Sequence, residues 1–149
     1  MIDFPSLTTL TIGDEAFKNA TAFTMNILPS IETIDIGNDC FKSIANDLRL
    51  NHFPELISLR IGNSSFYNED NPDVIAKLFQ IYNNSKLVSI EIGEYSFSKF
   101  GGSFAVSSLP SLQSLIIGSI ENESNNFMNV KSFYISSTIL LLIDITRSS

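Results

Sequence analysis

One phrase recurs along this chain and leaves few folds open to it. Its fullest copy is Leu109-Pro110-Ser111-Leu112-Gln113-Ser114-Leu115-Ile116-Ile117-Gly118. Phe4-Pro5-Ser6-Leu7 leads in the same way to Leu10, Ile12 and Gly13, and Leu28-Pro29-Ser30-Ile31 leads to Ile34, Ile36 and Gly37. Phe53-Pro54-Glu55-Leu56 leads to Leu59, Ile61 and Gly62, and Leu87 leads to Ile90, Ile92 and Gly93 without the proline. A sixth copy begins at Leu140, Ile143 and Ile145 and then stops. Successive copies start 24, 25, 31, 25 and 28 residues apart, counted from Leu7 through Ile31, Leu56, Leu87 and Leu112 to Leu140. A unit of that length cannot bury its own apolar side, so copies must stack and share one interior.

Within a copy, the last two apolar residues alternate as a strand does, and the first turns inward from the preceding bend. Five of the seven glycines fall directly after the strand, at Gly13, Gly37, Gly62, Gly93 and Gly118. That place suggests a bend needing positive φ, which glycine adopts without a Cβ clash. The leading proline holds the chain extended ahead of the strand. Five residues past the last isoleucine stands a phenylalanine, at Phe17, Phe41, Phe66 and Phe97, and Phe127 is expected to fill that place in the fifth copy, delayed by the polar insertion Ile120-Glu121-Asn122-Glu123-Ser124-Asn125-Asn126. Stacking predicts a ladder of these rings. A second apolar position, at Phe23, Leu48, Phe104 and Phe133, closes the far side of the core. The long third unit holds the insertion Asn68-Glu69-Asp70-Asn71-Pro72-Asp73. Asn71 reads as an N-cap and Pro72 as a first helical residue. With Val74, Leu78 and Ile81 at helical spacing, a short helix is expected from about Pro72 to Tyr82. A further helical turn is expected around Ser43 to Leu48, and a loop at Gly101-Gly102.

The spacing Leu-x-x-Leu-x-Ile resembles the strand segment of leucine-rich repeats. The continuation Ile12-Gly13-Asp14-Glu15-Ala16-Phe17 is similar to the Ile-Gly-x-x-Ala-Phe phrase of the BspA-like branch of that family. The resemblance implies an α/β repeat solenoid: a right-handed coil with one parallel sheet on a concave face, and loops or short helices on the convex face. Residues 1–149 then form a single solenoid of five repeats plus a truncated sixth, read as a fragment of a longer array. Two family features are missing. Glu15, Asp39, Ser64 and Tyr95 stand where the family has an asparagine, which predicts bends without an asparagine ladder, and Ala20 stands where the branch has a cysteine.

Composition narrows the partners. A formal charge of -7, with nine scattered basic residues, argues against nucleic acid, because phosphate binding needs clustered Lys and Arg. Cys40 is the only cysteine, so no intrachain disulfide can form. The amino terminus shows no signal peptide, and the run Ile139 to Ile143 is too short to span a bilayer, so no membrane insertion is expected in this segment and the compartment stays open. Sequons at Asn19, Asn63, Asn83 and Asn122 are no more than an Asn-, Ser- and Thr-rich chain supplies, and do not establish secretion.

If the strands stack in register, the residues between the apolar positions form columns on the open face. One column reads Thr9, Thr33, Ser58, Ser89, Ser114, Leu142, and the next reads Thr11, Asp35, Arg60, Glu91, Ile116, Asp144. Glu32, Ile57, Val88 and Gln113 belong to a neighbouring column. The hydroxyls could bond an extended peptide or a glycan, or could pair with one another as stacked strands allow. Asp35, Arg60 and Glu91 alternate in sign, so they could select a ligand by charge or neutralise each other across strands. Ile57, Val88 and Ile116 make an apolar cluster of the kind that marks interfaces.

Catalytic chemistry finds little support. Cys40 precedes a ladder phenylalanine while His52 precedes the next unit, so a nucleophile-base pair is not expected. No second soft or imidazole ligand accompanies either residue, and no phosphate-loop, Gly-x-Ser-x-Gly or kinase signature occurs. No cofactor is implied. The expectation is therefore a non-catalytic protein-binding module using the concave sheet. The alternative is a structural spacer or cell-surface adhesion-type segment without a dedicated ligand, since BspA-like proteins as a family are linked to surface adhesion. Edge-to-edge association through uncapped terminal strands is a further expectation.

Overall fold

The computed structural model describes residues 4–25, 28–44, 47–67, 78–119, 124–126, 132–136 and 142–145. Ten short strands follow one another: β1 Thr9–Ile12, β2 Thr33–Ile36, β3 Leu48–Asn51, β4 Ser58–Ile61, β5 Leu78–Tyr82, β6 Ser89–Ile92, β7 Ser103–Ser107, β8 Ser114–Ile117, β9 Ser132–Ser136 and β10 Leu142–Ile145. They make two parallel sheets, one of six strands in the order β1-β2-β4-β6-β8-β10 and one of four in the order β3-β5-β7-β9. The chain is thus a parallel β-solenoid. From β2 onward each coil crosses the six-stranded sheet, bends, and crosses the four-stranded sheet on the way back, whereas β1 is followed directly by β2.

Two expectations change here. The single sheet becomes two, and no helix occurs among the described residues. The helix expected to reach Tyr82 is contradicted at 78–82, which form strand β5; its start, from Pro72, lies outside the described residues, as do Phe127 and Leu140. Leu48, expected in a helical turn, opens strand β3. Packing gives the physical reason. Phe79 and Ile81 are wholly buried while Leu78, Gln80 and Tyr82 are half-exposed, a period of two that fits a pleated strand and not a helix. The Gly101-Gly102 pair leads directly into β7.

Register carries the repeat into the core. Leu10, Ile34, Leu59, Ile90 and Leu115 pair in one row, and Ile12, Ile36, Ile61, Ile92 and Ile117 in another. From Ile34 onward these side chains are essentially sealed from solvent. Phe17, Phe41, Phe66 and Phe97 stack at centroid separations of 5.4, 5.1 and 5.0 Å. A second aromatic row, Phe79, Phe104 and Phe133, follows the four-stranded sheet at 5.2 and 4.6 Å. Phe79 sits 4.6 Å from Phe97 and joins the two rows. Each such pair adds about 0.5–1.5 kcal/mol beyond the area it buries.

The bend after the six-stranded sheet shows why the phrase continues as it does. In the third coil, Gly62 N donates to Ile36 O at 2.7 Å and Asn63 N to Asn38 Oδ1 at 2.8 Å. Ser64 N donates to Glu94 O at 2.8 Å, Ser65 N to Ser96 Oγ at 3.1 Å and Phe66 N to Cys40 O at 2.9 Å. All five amides therefore leave the coil, three toward the preceding coil and two toward the next. Ser64 and Phe66, whose amides point in opposite senses, are both left-handed, at φ 55° and 56°. The same pair recurs at Glu15 and Phe17, Asp39 and Phe41, and Tyr95 and Phe97. Non-glycine residues in this region cost roughly 1–2 kcal/mol each, a strain that the inter-coil bonds offset.

The glycines have another purpose than the one expected. Gly13, Gly37, Gly62 and Gly93 are not left-handed; among the glycines, positive φ is recorded at Gly118, at 90°. What Gly37 and Gly62 provide is room. A Cβ on Gly37 would lie 2.5 Å from Asp14 Oδ1 and 2.7 Å from Asp14 N, and one on Gly62 would lie 2.6 Å from the Gly37 carbonyl carbon. The expectation of bends without an asparagine ladder is also overturned. Asp14 Oδ1 accepts from Asn38 N at 2.7 Å, Asn38 Oδ1 from Asn63 N at 2.8 Å, and Asn63 Oδ1 from Glu94 N at 2.9 Å. The ladder sits directly after the glycine, not two residues later.

Candidate functional site

The outward residues of the six-stranded sheet fall into the columns that the spacing predicts. Thr9, Thr33, Ser58, Ser89, Ser114 and Leu142 occupy one register row, and Thr11, Asp35, Arg60, Glu91, Ile116 and Asp144 the next. Glu32, Ile57, Val88 and Gln113 line up beside them, because each amide donates to the carbonyl of the preceding coil at 2.8–2.9 Å. Equal strand lengths and uniform register place these side chains, with Glu32, Ile57, Val88 and Gln113 supplied by the residue just before each strand.

A shallow depression of about 290 Å³ lies over β2, β4, β6 and β8. Thr33, Asp35, Ser58, Arg60, Ser89, Glu91, Ser114 and Ile116 line it, and only the backbone of Ile34, Leu59 and Ile90 borders it, because their side chains are buried on the opposite face. The geometry thus brings together eight of the residues singled out from the sequence. Thr9, Thr11, Glu32, Ile57, Val88 and Gln113 are on the same sheet but do not line the hollow. Ile57 is 45% exposed, a large apolar side chain beside a polar floor.

Arg60 Nη1 donates to Asp35 Oδ1 at 2.9 Å, with both side chains well exposed. That hydrogen bond raises the Arg60 pKa above its ordinary value, aided by the charges of Asp35, Glu91 and Asp14 and opposed by partial desolvation. An exposed pair of this kind contributes at most about 1 kcal/mol to stability. Ser58 Oγ donates to Thr33 Oγ1 at 3.5 Å, a long contact that leaves the hydroxyls available to other acceptors.

Cys40 and His52 have separate sets of partners, Cys40 after β2 and His52 after β3. Cys40 is fully buried in a row with Ser65, Ser96 and Asn126, each of which donates to the glycine carbonyl of the coil before it. Its Sγ donates to Gly13 O at 3.2 Å, and burial, the largest influence, raises its pKa. His52 is left-handed at the end of β3, 2.9 Å from Asn51 Nδ2 and edge-on to Tyr82. Among the described residues, no three His, Cys, Asp or Glu side chains gather as a metal site would require.

Sequence reasoning missed a second hollow of about 240 Å³, lined by Phe23, Thr24, Asp47, Arg49, Asn51 and Tyr82. It borders the four-stranded sheet, which the spacing of the phrase does not reveal. The alternation in Leu48-Arg49-Leu50-Asn51 was the available signal. Comparison with protein-family models, curated proteins and solved structures returns no match for this chain. The resemblance to leucine-rich repeats therefore rests on the phrase itself.

Proposed function

We propose that the chain is a non-catalytic protein-binding module whose outer six-stranded face receives an extended segment of a partner protein. The observation that carries this reading is the hollow over β2, β4, β6 and β8, lined by outward hydroxyls, the Asp35–Arg60 pair, Glu91 and Ile116. Four strands at about 4.8 Å spacing span roughly 14 Å, the reach of about four extended residues. Thr33, Ser58, Ser89 and Ser114 would bond the partner's backbone, Asp35, Arg60 and Glu91 would select its charge, and Ile57, Val88 and Ile116 would supply the apolar contact. Thr9, Thr11, Glu32 and Gln113 would form the rim. Acidic net charge makes nucleic acid an unsuitable partner. The resemblance to the BspA-like leucine-rich repeats agrees with such a role and extends, in this reading, over residues 1–149.

A displayed library of extended peptides tests it. Clones enriched on the chain should lose at least tenfold in affinity on Arg60→Glu, with the fold retained by circular dichroism, and should be indifferent to Arg49→Glu on the other sheet. No enrichment, or enrichment indifferent to Arg60→Glu, would reject the reading. A second reading, a spacer or surface segment without a ligand, draws on the bonds that Asp35 and Arg60, and Thr33 and Ser58, make with each other. Failed enrichment would favour that spacer.

A further inference from the structure

The amino-terminal end of the stack presents, with no neighbour among the described residues, the surface that inner coils turn toward the coil before them. In the third coil the amides of Gly62, Asn63 and Phe66 donate backward. Their counterparts in the first coil are Gly13 N, Asp14 N and Phe17 N, which have no acceptor among the described residues, whereas Glu15 N donates forward to Asn38 O at 2.8 Å. Ser30 Oγ donates to Pro5 O at 2.6 Å, and Ser111 Oγ to Ser85 O at 2.7 Å, both reaching one coil back. Ser6 holds the same place, with no acceptor one coil back among the described residues. Phe17 is 61% exposed, against 1% for Phe41, and Phe4 is 53% exposed, against 1% for Phe53.

Gly13 is the most telling residue of the set. At Gly37 and Gly62 a Cβ would meet the preceding coil's Asp14 or Asn38 below 3 Å, yet at Gly13 a Cβ would meet nothing within 4 Å, and its φ is not left-handed. Nothing in the first coil requires a glycine there.

We propose that this end face is a docking surface for one more coil of the same repeat, a coil carrying Asp or Asn directly after its own glycine. Such a coil would lay a strand parallel to β1 and place a carboxyl or carboxamide oxygen on Asp14 N, in the space that Gly13 leaves. Its aromatic ring would stack on Phe17 at the separation of about 5 Å usual for offset rings. The chain's own last strand does not fit this description. Ile145 is in register with Ile117, so Thr146 and Arg147 follow where a glycine and an Asp or Asn are needed. A second copy stacked head to tail is therefore the wrong occupant.

The test supplies the coil covalently, so that only the fit of the face is probed. A copy of residues 28–52 placed directly before Phe4 keeps the His-Phe-Pro junction of residues 52–54 and brings an asparagine and a phenylalanine to the required places. The lengthened chain should unfold in one transition, several degrees above the parent. The amides of Gly13, Asp14 and Phe17 should gain hydrogen-exchange protection of at least tenfold. Gly13→Ala should leave the parent unchanged but erase the gain in the lengthened chain, whereas Gly37→Ala should disrupt the parent itself. Separate melting of the added coil, unprotected amides, or Gly13→Ala acting alike in both chains would overturn the proposal. So would sedimentation of the parent as a dimer that Phe17→Asp dissociates, because a second copy would then cover the face.

Discussion

The two sheets obey the same stacking rule, yet only one of them announces itself in the sequence. Five of the six strands in the six-stranded sheet end one residue before a glycine, and the glycine-to-phenylalanine distance is four residues in each of the first four coils. The distance from that phenylalanine to the inward residue of the second sheet varies: seven from Phe41 to Leu48, thirteen from Phe66 to Phe79, seven from Phe97 to Phe104. From there to the next phrase it is constant again, eight residues from Leu48 to Leu56, Phe79 to Leu87 and Phe104 to Leu112. All the extra length of the third coil thus sits on one arc. Length is fixed where amides must reach neighbouring coils, and free where the chain only travels between sheets.

Phe79→Ala is the largest way to break that comparison. As a wholly buried ring joining both aromatic rows, it should cost about 3–5 kcal/mol, comparable to Leu59→Ala in the six-stranded sheet, by urea unfolding. A loss under about 1 kcal/mol would mean that the four-stranded sheet adds little to the core. Ser65→Ala probes the fixed arc. It removes the acceptor of Cys40 N and the donor to Gly37 O, both inside the protein, and should cost about 2–3 kcal/mol.

Ser64→Gly should act in the opposite direction. Position 64 is left-handed, so glycine relieves a strain of about 1 kcal/mol, and a raised unfolding midpoint is expected. Cys40→Ser should be smaller still, because Ser65 and Ser96 already serve in that row. Its signature is pH. Burial holds the folded Cys40 pKa above the ordinary 9.0, so the folded state retains the thiol proton longer than the unfolded chain. The thiol's contribution is complete below about pH 9 and declines as pH rises toward the folded pKa. Wild type should lose stability in that alkaline window by more than Cys40→Ser does, as read from urea midpoints at pH 8 and pH 10.

Much of the first sheet was legible because its signals are local. Alternating Leu10 and Ile12, and Leu59 and Ile61, fixed the inward face, and the polar columns followed from register. The candidate hollow was readable for the same reason. The second sheet was half legible: Phe23, Leu48, Phe104 and Phe133 were placed on the far side of the core, but Phe79 was passed over. Leu78 and Ile81 fall three apart and matched a helix, whereas Phe79 and Ile81 alternate. The glycines were found and their purpose was not, because a clash with the preceding coil is invisible within one copy. The Asp14-Asn38-Asn63 ladder and the Cys40-Ser65-Ser96 row were equally present in the letters. They become meaningful only when copies are laid over one another.

The bend in the third coil has a consequence for how such a chain can change. Its five amides, Gly62 to Phe66, are all held by the coils on either side, and none by a residue of the outer columns. Substitutions at Thr33, Ser58, Ser89 or Ser114 therefore leave the inter-coil wiring intact. A lineage could redraw that surface one position at a time, exploring new ligands by drift, while selection on the fold falls almost wholly on residues that no ligand touches.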